Sequence, residues 1–369
     1  MKFNLSTKPL IDALNLGIVN QNVSKFYQKS CLAQVTADRH SLKVNLEASY
    51  VLSEIILKGS GDEDAPTTIF VDSLLLKQLV STFEAAVTTF EFTEGGLILH
   101  SGKSKFTLPK MIDGTELELS APGKANPASA VIDLDKSDWK FIKDYQMYAI
   151  AMSFIHPVYT RVWVGESGDV IVGDFDNSMF THSKMSKLGS TCLLSDTIIN
   201  LFNSLPDGAR LTKLDKSYLI NVQTDGFEYA SEFTPLYEDD EAVGSYNSEI
   251  ILGMMVKDEE NAVKLNVAAV NKFLNQAALL STSTEDTIKL AVDGSEFSLT
   301  DKNVDCKLPV EGVCANPYSI DFKTSLLKSV VSNFDEDEVK IAPMIQEDAV
   351  IGIILWTSKM VTVLAGIDE

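Results

Sequence analysis

Apolar and polar residues along this chain alternate in two periods, and the order in which those periods change recurs three times. Residues 67–71, Thr-Thr-Ile-Phe-Val, form the short β-branched and aromatic run expected of a strand. Asp72-Ser73 then reads as a helix start, followed by Leu74, Leu75, Leu76, Leu79 and Val80. Three alternating runs follow at 88–92, 96–100 and 103–108. A second copy has a strand at 191–194, Ser195-Asp196 as the start, and a helix carrying Ile198, Ile199, Leu201, Phe202 and Leu205. Its strands are predicted at 211–214, 218–223 and 227–233. The third copy has a strand at 318–322, a helix at 323–334 and strands at 338–342, 349–356 and 360–364.

Each copy is preceded by a similar unit. The first has a strand at 2–5, a helix at 8–19 with Pro9 in its first turn, and strands at 30–37, 41–47 and 51–58. The second has a strand at 131–134, a helix at 136–148 and strands at 160–164, 170–172 and 178–184. The third has a strand at 263–267, a helix at 270–280 and strands at 287–292, 296–300 and 304–308. Starting points at Lys2, Val131 and Val263 therefore recur at about 130 residues, the mark of a repeated domain. The expectation is an α+β chain of three tandem domains, each two helices packed on antiparallel sheets, at 1–120, 129–240 and 262–369. Between the first two, residues 113–128 hold Gly114, Pro122, Gly123 and Pro127 and read as a linker. Between the last two, residues 237–262 carry two acidic runs around an apolar insert at 250–256, which suits an extra strand or a contact to a neighbour.

A chain of 369 residues is long enough for two or three domains with their own cores. No apolar run reaches the roughly 18–20 residues of a membrane-spanning helix, and the first residues lack the apolar core of a signal peptide. Cys31, Cys192, Cys306 and Cys314 have no metal-type spacing and suit reduced thiols in the cytoplasm. The net charge of −21 argues against a protein that coats nucleic acid with its whole surface, but leaves room for a local basic face.

Chemistry is harder to find. His40, His100, His156 and His182 fall at no ligand spacing, and there is no GxSxG, phosphate loop or dinucleotide glycine pattern. Asp174-Phe175-Asp176 lacks the ligand spacing of a calcium loop. No enzyme, cofactor or metal site is expected. The helices hold one asymmetry: Lys8, Lys77, Lys136, Lys140, Lys143, Lys272, Lys323 and Lys328 outnumber Asp12, Asp72, Asp135, Asp138, Asp144 and Asp196 in a strongly acidic chain. Four of these acids, Asp72, Asp135, Asp138 and Asp196, lie near helix N-termini, where carboxylates cap backbone amides. The remaining faces carry lysine with Asn15, Gln78, Asn200, Asn203, Asn275, Gln276 and Asn333, which suits phosphates rather than base edges. The wet side of any amphipathic helix has the same composition, and charge alone favours that plainer reading.

The layout resembles the bacterial DNA polymerase sliding clamp, the β subunit. The N-terminal Met1-Lys2-Phe3 with Leu10, Ile11 and Leu14, the run Ser101-Gly102-Lys103-Ser104-Lys105-Phe106-Thr107-Leu108-Pro109, and Asn275 to Ser281 with Ile288-Lys289-Leu290 and Phe297-Ser298-Leu299-Thr300 carry the likeness, in family order and spacing. The resemblance implies a processivity factor: a head-to-tail homodimeric ring of pseudo-sixfold symmetry that encircles double-stranded DNA without reading its sequence. Its partners would be a DNA polymerase, a clamp loader and other clamp-binding peptides, with no membrane. It turns the helix lysines named above, together with Lys25, toward DNA. It places the subunit interface at Phe106 and Leu108 against Phe273 and Leu274. It assigns a partner-peptide pocket to Gly173, Phe175, Asn177, Met179, Val361, Val363, Leu364 and Ala365, although Phe175 and Met179 fit plain core positions equally well. Two departures stand out. The family's C-terminal methionine–proline–methionine run is Val363-Leu364-Ala365 here, and its threonine–aspartate–glycine–histidine pocket edge is Gly173-Asp174-Phe175-Asp176. These suit a divergent clamp, such as a viral one working in host cytoplasm, with its own peptide preference. A structural β-rich virion or assembly protein is the competing expectation.

Overall fold

The computed structural model describes residues 1–17, 32–48, 51–112, 118–126, 129–133, 162–174, 179–184, 188–206, 209–237, 248–280, 286–302 and 304–367. The expected helix at 136–148 lies outside them, as do Lys25, Lys136, Lys140, Lys143, Phe175, Asn177, Cys31 and His156.

The first third contains β1 (Lys2–Ser6), α1 (Thr7–Gly17), β2 (Leu32–Ala37), β3 (Ser41–Ala48), β4 (Val51–Lys58) and β5 (Ser60–Gly61). It continues through β6 (Thr67–Asp72), α2 (Ser73–Ser81), β7 (Val87–Thr93), β8 (Gly96–Ser101) and β9 (Ser104–Pro109). Next come β10 (Val131–Asp133), β11 (Val162–Val164), β12 (Asp169–Asp174), β13 (Met179–Lys184) and β14 (Cys192–Leu194). They lead to α3 (Asp196–Ser204), β15 (Arg210–Lys213), β16 (Tyr218–Gln223), β17 (Phe227–Phe233), β18 (Leu236–Tyr237) and α4 (Ser248–Met254). The last third has β19 (Val263–Asn266), α5 (Val267–Leu280), β20 (Thr287–Thr300), β21 (Asp305–Lys323) and α6 (Thr324–Ser332). It ends with β22 (Glu338–Gln346), β23 (Ala349–Trp356) and β24 (Met360–Ala365).

The chain separates into two compact units, Met1–Trp139 with Leu194–Pro235, and Lys140–Leu193 with Leu236–Glu369. The first unit holds two sheets, ordered β5-β1-β7-β8-β9 and β10-β15-β16-β17-β4-β3-β2-β6. The second holds one sheet of eleven strands, β18-β14-β11-β12-β13-β24-β23-β22-β19-β21-β20. In each unit a strand of the middle third completes a sheet begun elsewhere. β17 pairs with β4 from Phe227↔Leu57 to Phe233↔Val51, and β13 pairs with β24 from Met179↔Leu364 to Ser183↔Met360.

The passage from strand to helix is the local device that recurs. β1 runs straight into α1, and the Thr7 amide donates to Ala86 O at 3.0 Å, one step beyond the β1–β7 pair Ser6↔Val87. β19 runs into α5 in the same way, with Val267 N donating to Asp337 O at 2.9 Å beyond Asn266↔Glu338. β21 runs into α6 with Thr324 N donating to Asp286 O at 3.1 Å beyond Thr287↔Lys323. Each first turn thus hands one of its orphan amide donors to the ladder it has just left. The start residues Thr7, Ser73 and Thr324 are buried, and the Thr7 hydroxyl meets the Thr88 hydroxyl at 2.8 Å.

Side-chain caps follow the expectation in part. Asp72 accepts from Leu75 N at 2.8 Å. At α3 the cap is the Ser195 hydroxyl, accepting from Ile198 N at 3.4 Å, and Asp196 falls one position inside the helix. At α5 the cap is Asn266, accepting from Ala269 N at 2.9 Å. The cap of α6 comes from far along the chain: the Asp286 carboxylate accepts from both the amide and the hydroxyl of Ser325, while the cap residue Lys323 makes no side-chain cap bond.

Three expectations need correction. The runs 287–292 and 296–300 are one strand, β20, and the runs at 304–308 and 318–322 belong to one strand, β21. Irregular pairing around Gly294, whose φ is 58°, carries the ladder through what reads as a turn. Lys323 ends β21 and precedes α6 rather than lying within the helix. The apolar insert is helical as far as Met254, in α4, and not a strand: Ile251 and, in the turn just past the helix, Met255 are buried while Ile250 and Val256 are not, a period near four residues rather than two.

The core follows the periodicity. α1 buries Leu10, Ala13, Leu14 and Leu16, α5 buries Val270, Leu274 and Ala277, and α6 buries Leu327, Val330 and Val331. Cys192, Cys306 and Cys314 are buried free thiols. No helix of the described residues is long and apolar enough to cross a membrane.

Candidate functional site

Two surfaces gather the residues singled out in the sequence. On the helices, burial of one stripe fixes what the other presents. α5 leaves Lys272, Asn275 and Gln276 exposed, and α6 leaves Ser325, Lys328, Ser329 and Ser332 at least partly so. Neither helix contains an acidic residue, and neither Lys272 nor Lys328 forms an ion pair with a described acid. Sheet lysines differ. Lys43 meets Glu54 at 2.6 Å, Lys264 meets Glu311 at 2.6 Å, Lys307 meets Glu296 at 2.6 Å and Lys340 meets Glu259 at 2.5 Å. These four sheet lysines are therefore locally neutralised, whereas Lys272 and Lys328 have no such partner among the described acids. In the other unit, Lys8 on α1 is spent on Asp12 at 2.9 Å. Lys77 on α2 is half-buried, and that burial lowers the pKa of its ammonium.

The second surface is one face of the eleven-stranded sheet. Residues paired across an antiparallel ladder share a face, so register decides the grouping. Phe180 faces Val363, which faces Ile354, which faces Ala342. Val361 lies opposite Trp356 on one side and His182 on the other, and Ile171 lies opposite both His182 and Trp163. Trp163, Ile171, Phe180, Ala342, Ile354, Trp356, Val361 and Val363 accordingly form one apolar cluster, joined by Leu193, Ile251 and Met255. Gly173 lies under this cluster, and a Cβ there would run into the Phe180 ring, so only glycine lets that ring lie flat. Met179 and Leu364 pair with each other on the opposite face, inside the unit. Ala365 ends β24, half-buried, opposite Gly352. The rim is polar: Lys340 pairs with Glu259 and sits 5.9 Å from the Trp356 ring. His182 bonds Asp169 at 2.8 Å. Burial alone pushes the Asp169 carboxyl up, but the Ser167 hydroxyl, His182 and Lys184 together bring it below its ordinary value.

The four residues assigned to a subunit interface divide by depth. β9 is an edge strand with Leu108 fully buried, while Phe106 is half-exposed and stacks on Phe83 at 5.4 Å. On α5, Leu274 is core and Phe273 half-buried.

This arrangement of sheets and helices has close counterparts among solved structures. The DNA polymerase sliding clamp from Caulobacter crescentus matches over 100% of both chains with a TM-score of 0.74 at 16% identity. A DNA polymerase III β subunit from Eubacterium rectale matches over 100% of both chains with a TM-score of 0.77 at 14% identity. The fold is that of a bacterial sliding clamp. The Helicobacter pylori β clamp bound to a DNA ligase peptide also matches over the full length of both chains, with a TM-score of 0.74 at 11% identity. No protein-family model and no curated protein matches the sequence.

Sequence reasoning placed Val361 and Val363 near this face but missed Trp163, Phe180, Ile354 and Trp356, and above all Ile251 and Met255. The four-residue spacing of that last pair was the signal that could have found them.

Proposed function

We propose that this chain is a DNA sliding clamp, a replication processivity factor of the cytoplasm that makes and breaks no bond. Two copies join head to tail, enclose duplex DNA and hold a polymerase on its template, with a clamp loader opening the ring. The observation that carries this reading is the full-length coverage of both chains in every match cited above, since a chance likeness of one repeat would cover a third. The helix faces support it: lysine and amide side chains without acids suit transient, sequence-independent phosphate contact. The acidic remainder suits an outer surface that repels stray nucleic acid. Edge strand β9, with half-exposed Phe106, offers unpaired backbone for a second copy to cover, as does edge strand β20. The apolar face around Val361 and Val363 suits partner peptides of the kind that the Helicobacter pylori clamp's DNA ligase peptide represents.

The test is mass and topology together. A mass near twice 40.4 kDa, ring-shaped particles, and retention on circular DNA that is lost on linearisation are the expected results. A monomer with equal retention on linear and circular DNA rejects the reading.

A further inference from the structure

Two ladders join a strand of one repeat to a strand of the next, and each buries hydroxyls on its inner face. In the β4–β17 ladder Ser53 lies opposite Ser231, with their hydroxyls 3.0 Å apart and the Tyr229 hydroxyl 3.4 Å from that of Ser53. In the β13–β24 ladder Thr181 lies opposite Thr362, with their hydroxyls 3.0 Å apart. All five residues are buried. A buried hydroxyl without a partner is costly, so each ladder is held to the pairing that brings its hydroxyls together.

Tight turns place two further edges in the same frame. Ser104 of β9, Phe227 of β17 and Met360 of β24 each follow such a turn: Ser101 pairs with Ser104, and the Thr224 and Thr357 amides donate to Phe227 O and Met360 O. Counting on from there, Phe106 takes the place of Tyr229 and Thr362, and Leu108 that of Ser231 and Leu364. On the opposing side, Val51 and Val304 follow turns in the same way, with Ala48 paired to Val51 and Asp301 N donating to Val304 O. Cys306 then takes the place of Ser53, and Leu308 that of Ile55. The register of β13 against β24 gives Met179 and Thr181 those same two places. Over residues 305–309 one edge of β21 pairs with β20, whereas its pairing with β19 is confined to Glu311. That edge of β21 and the outer edge of β9 thus lie open, and neither carries a hydroxyl at these places.

We propose that the buried positions select which edge joins which, so that β21 of one copy takes β9 of the next in the register Cys306↔Leu108 and Leu308↔Phe106. This rests on the reading that two copies join head to tail, and it puts the joint on the 305–309 edge of β21 rather than on β20. Mismatched ladders strand a hydroxyl. β4 against β9 would set Ser53 opposite Leu108, β13 against β9 would set Thr181 opposite Phe106, and β21 against β24 would set Leu308 opposite Thr362. In the proposed register the inner faces match. Cys306 and Leu108 are already buried, whereas Leu308 and Phe106 are half-exposed and cover each other. A buried thiol behaves as a small apolar neighbour for Leu108.

The test copies the Thr181–Thr362 pair into the open joint. Leu308→Thr alone and Phe106→Thr alone each strand a hydroxyl at both joints of their own dimer, which should weaken each joint about ten-fold. A heterodimer of the two proteins has no stranded hydroxyl: one joint sets the introduced threonines together, and the other restores leucine against phenylalanine. Native mass spectrometry of the mixture should therefore show nearly all dimers mixed, against about half for random assortment. Random assortment of proteins that circular dichroism shows to be folded overturns the inference and leaves the dimer standing. A wild type that forms no dimer removes both. Disulfide trapping gives a second measurement that needs no weakened joint. Phe106→Cys with Leu308→Cys should lock the dimer covalently under mild oxidation with diamide, and Lys105→Cys with Leu308→Cys should not. Equal locking by both pairs, or none by the first, overturns the register.

Discussion

Replacing Lys272 and Lys328 together by alanine tests the helix surface where its geometry is cleanest. Both side chains sit on helices without acids, and neither is paired with a described carboxylate. Alanine is the better helix former, so the fold should survive. In a dimer the change removes four positive charges. Each phosphate that is no longer neutralised lowers the slope of log affinity against log salt by about 0.9, so the ceiling is a decrease of about 3.6. Over the interval from about 50 to 200 mM salt, that ceiling means the affinity of the wild type falls about a hundred-fold more than that of the variant. A decrease between about 1 and 3.6 is expected, because a mobile duplex shares its phosphates among several lysines. Lys8→Ala is the internal control. Asp12 at 2.9 Å already offsets its charge, so its effect on the slope should be smaller than that of either Lys272→Ala or Lys328→Ala. The assay is fluorescence anisotropy of a short labelled duplex across a salt series, with circular dichroism to confirm folding. An unchanged slope in the folded double variant, or an equal effect from Lys8→Ala, refutes the assignment of these faces to phosphate.

Two further outcomes concern the scaffold. Asp286→Ala strips α6 of its side-chain cap and should lower unfolding free energy by about 1 kcal/mol, read as a drop in the urea midpoint at unchanged m-value. Asp169→Asn should destabilise the protein at neutral pH, and the difference from wild type should shrink in acid. Its folded carboxyl lies below the ordinary value of 3.8, so its contribution is full above that value and fades as pH falls through the lowered one. A stability gap that stays constant as the pH is taken well below that ordinary value would show that the Ser167, His182 and Lys184 contacts are not what holds Asp169 charged.

The repeat was legible because it is written in the change of period. Helical spacing at Leu76 and Val80 or at Ile198 and Phe202 gives way to alternation at 88–92 and 218–223, and neither signal depends on a distant partner. Caps were legible where they are local, as at Asp72, and illegible where they are not. Asp286 caps α6 through Ser325, 39 residues further on, and nothing near Lys323 announces it. The joining of β4 to β17 was hidden in the same way. Both read correctly as strands, but the pairing that brings Ser53 to Ser231 across 178 residues leaves no local trace.

The sheet face around Val361 and Val363 shows the limit most sharply. β24 is buried on both sides, so Met360 to Leu364, apolar but for the buried Thr362, read with no alternation between wet and dry positions to say which residues share a face. Register supplies what periodicity cannot: pairing Phe180 with Val363 and Met179 with Leu364 sends Val361 and Val363 to one side and Leu364 to the other. The insert is hidden for the complementary reason. A seven-residue segment interrupted by Gly253 has too little intrinsic propensity to declare itself a helix, and the acidic runs around it draw attention to charge. Its buried residue Ile251, and Met255 just past its end, join a sheet face assembled from strands of two different repeats.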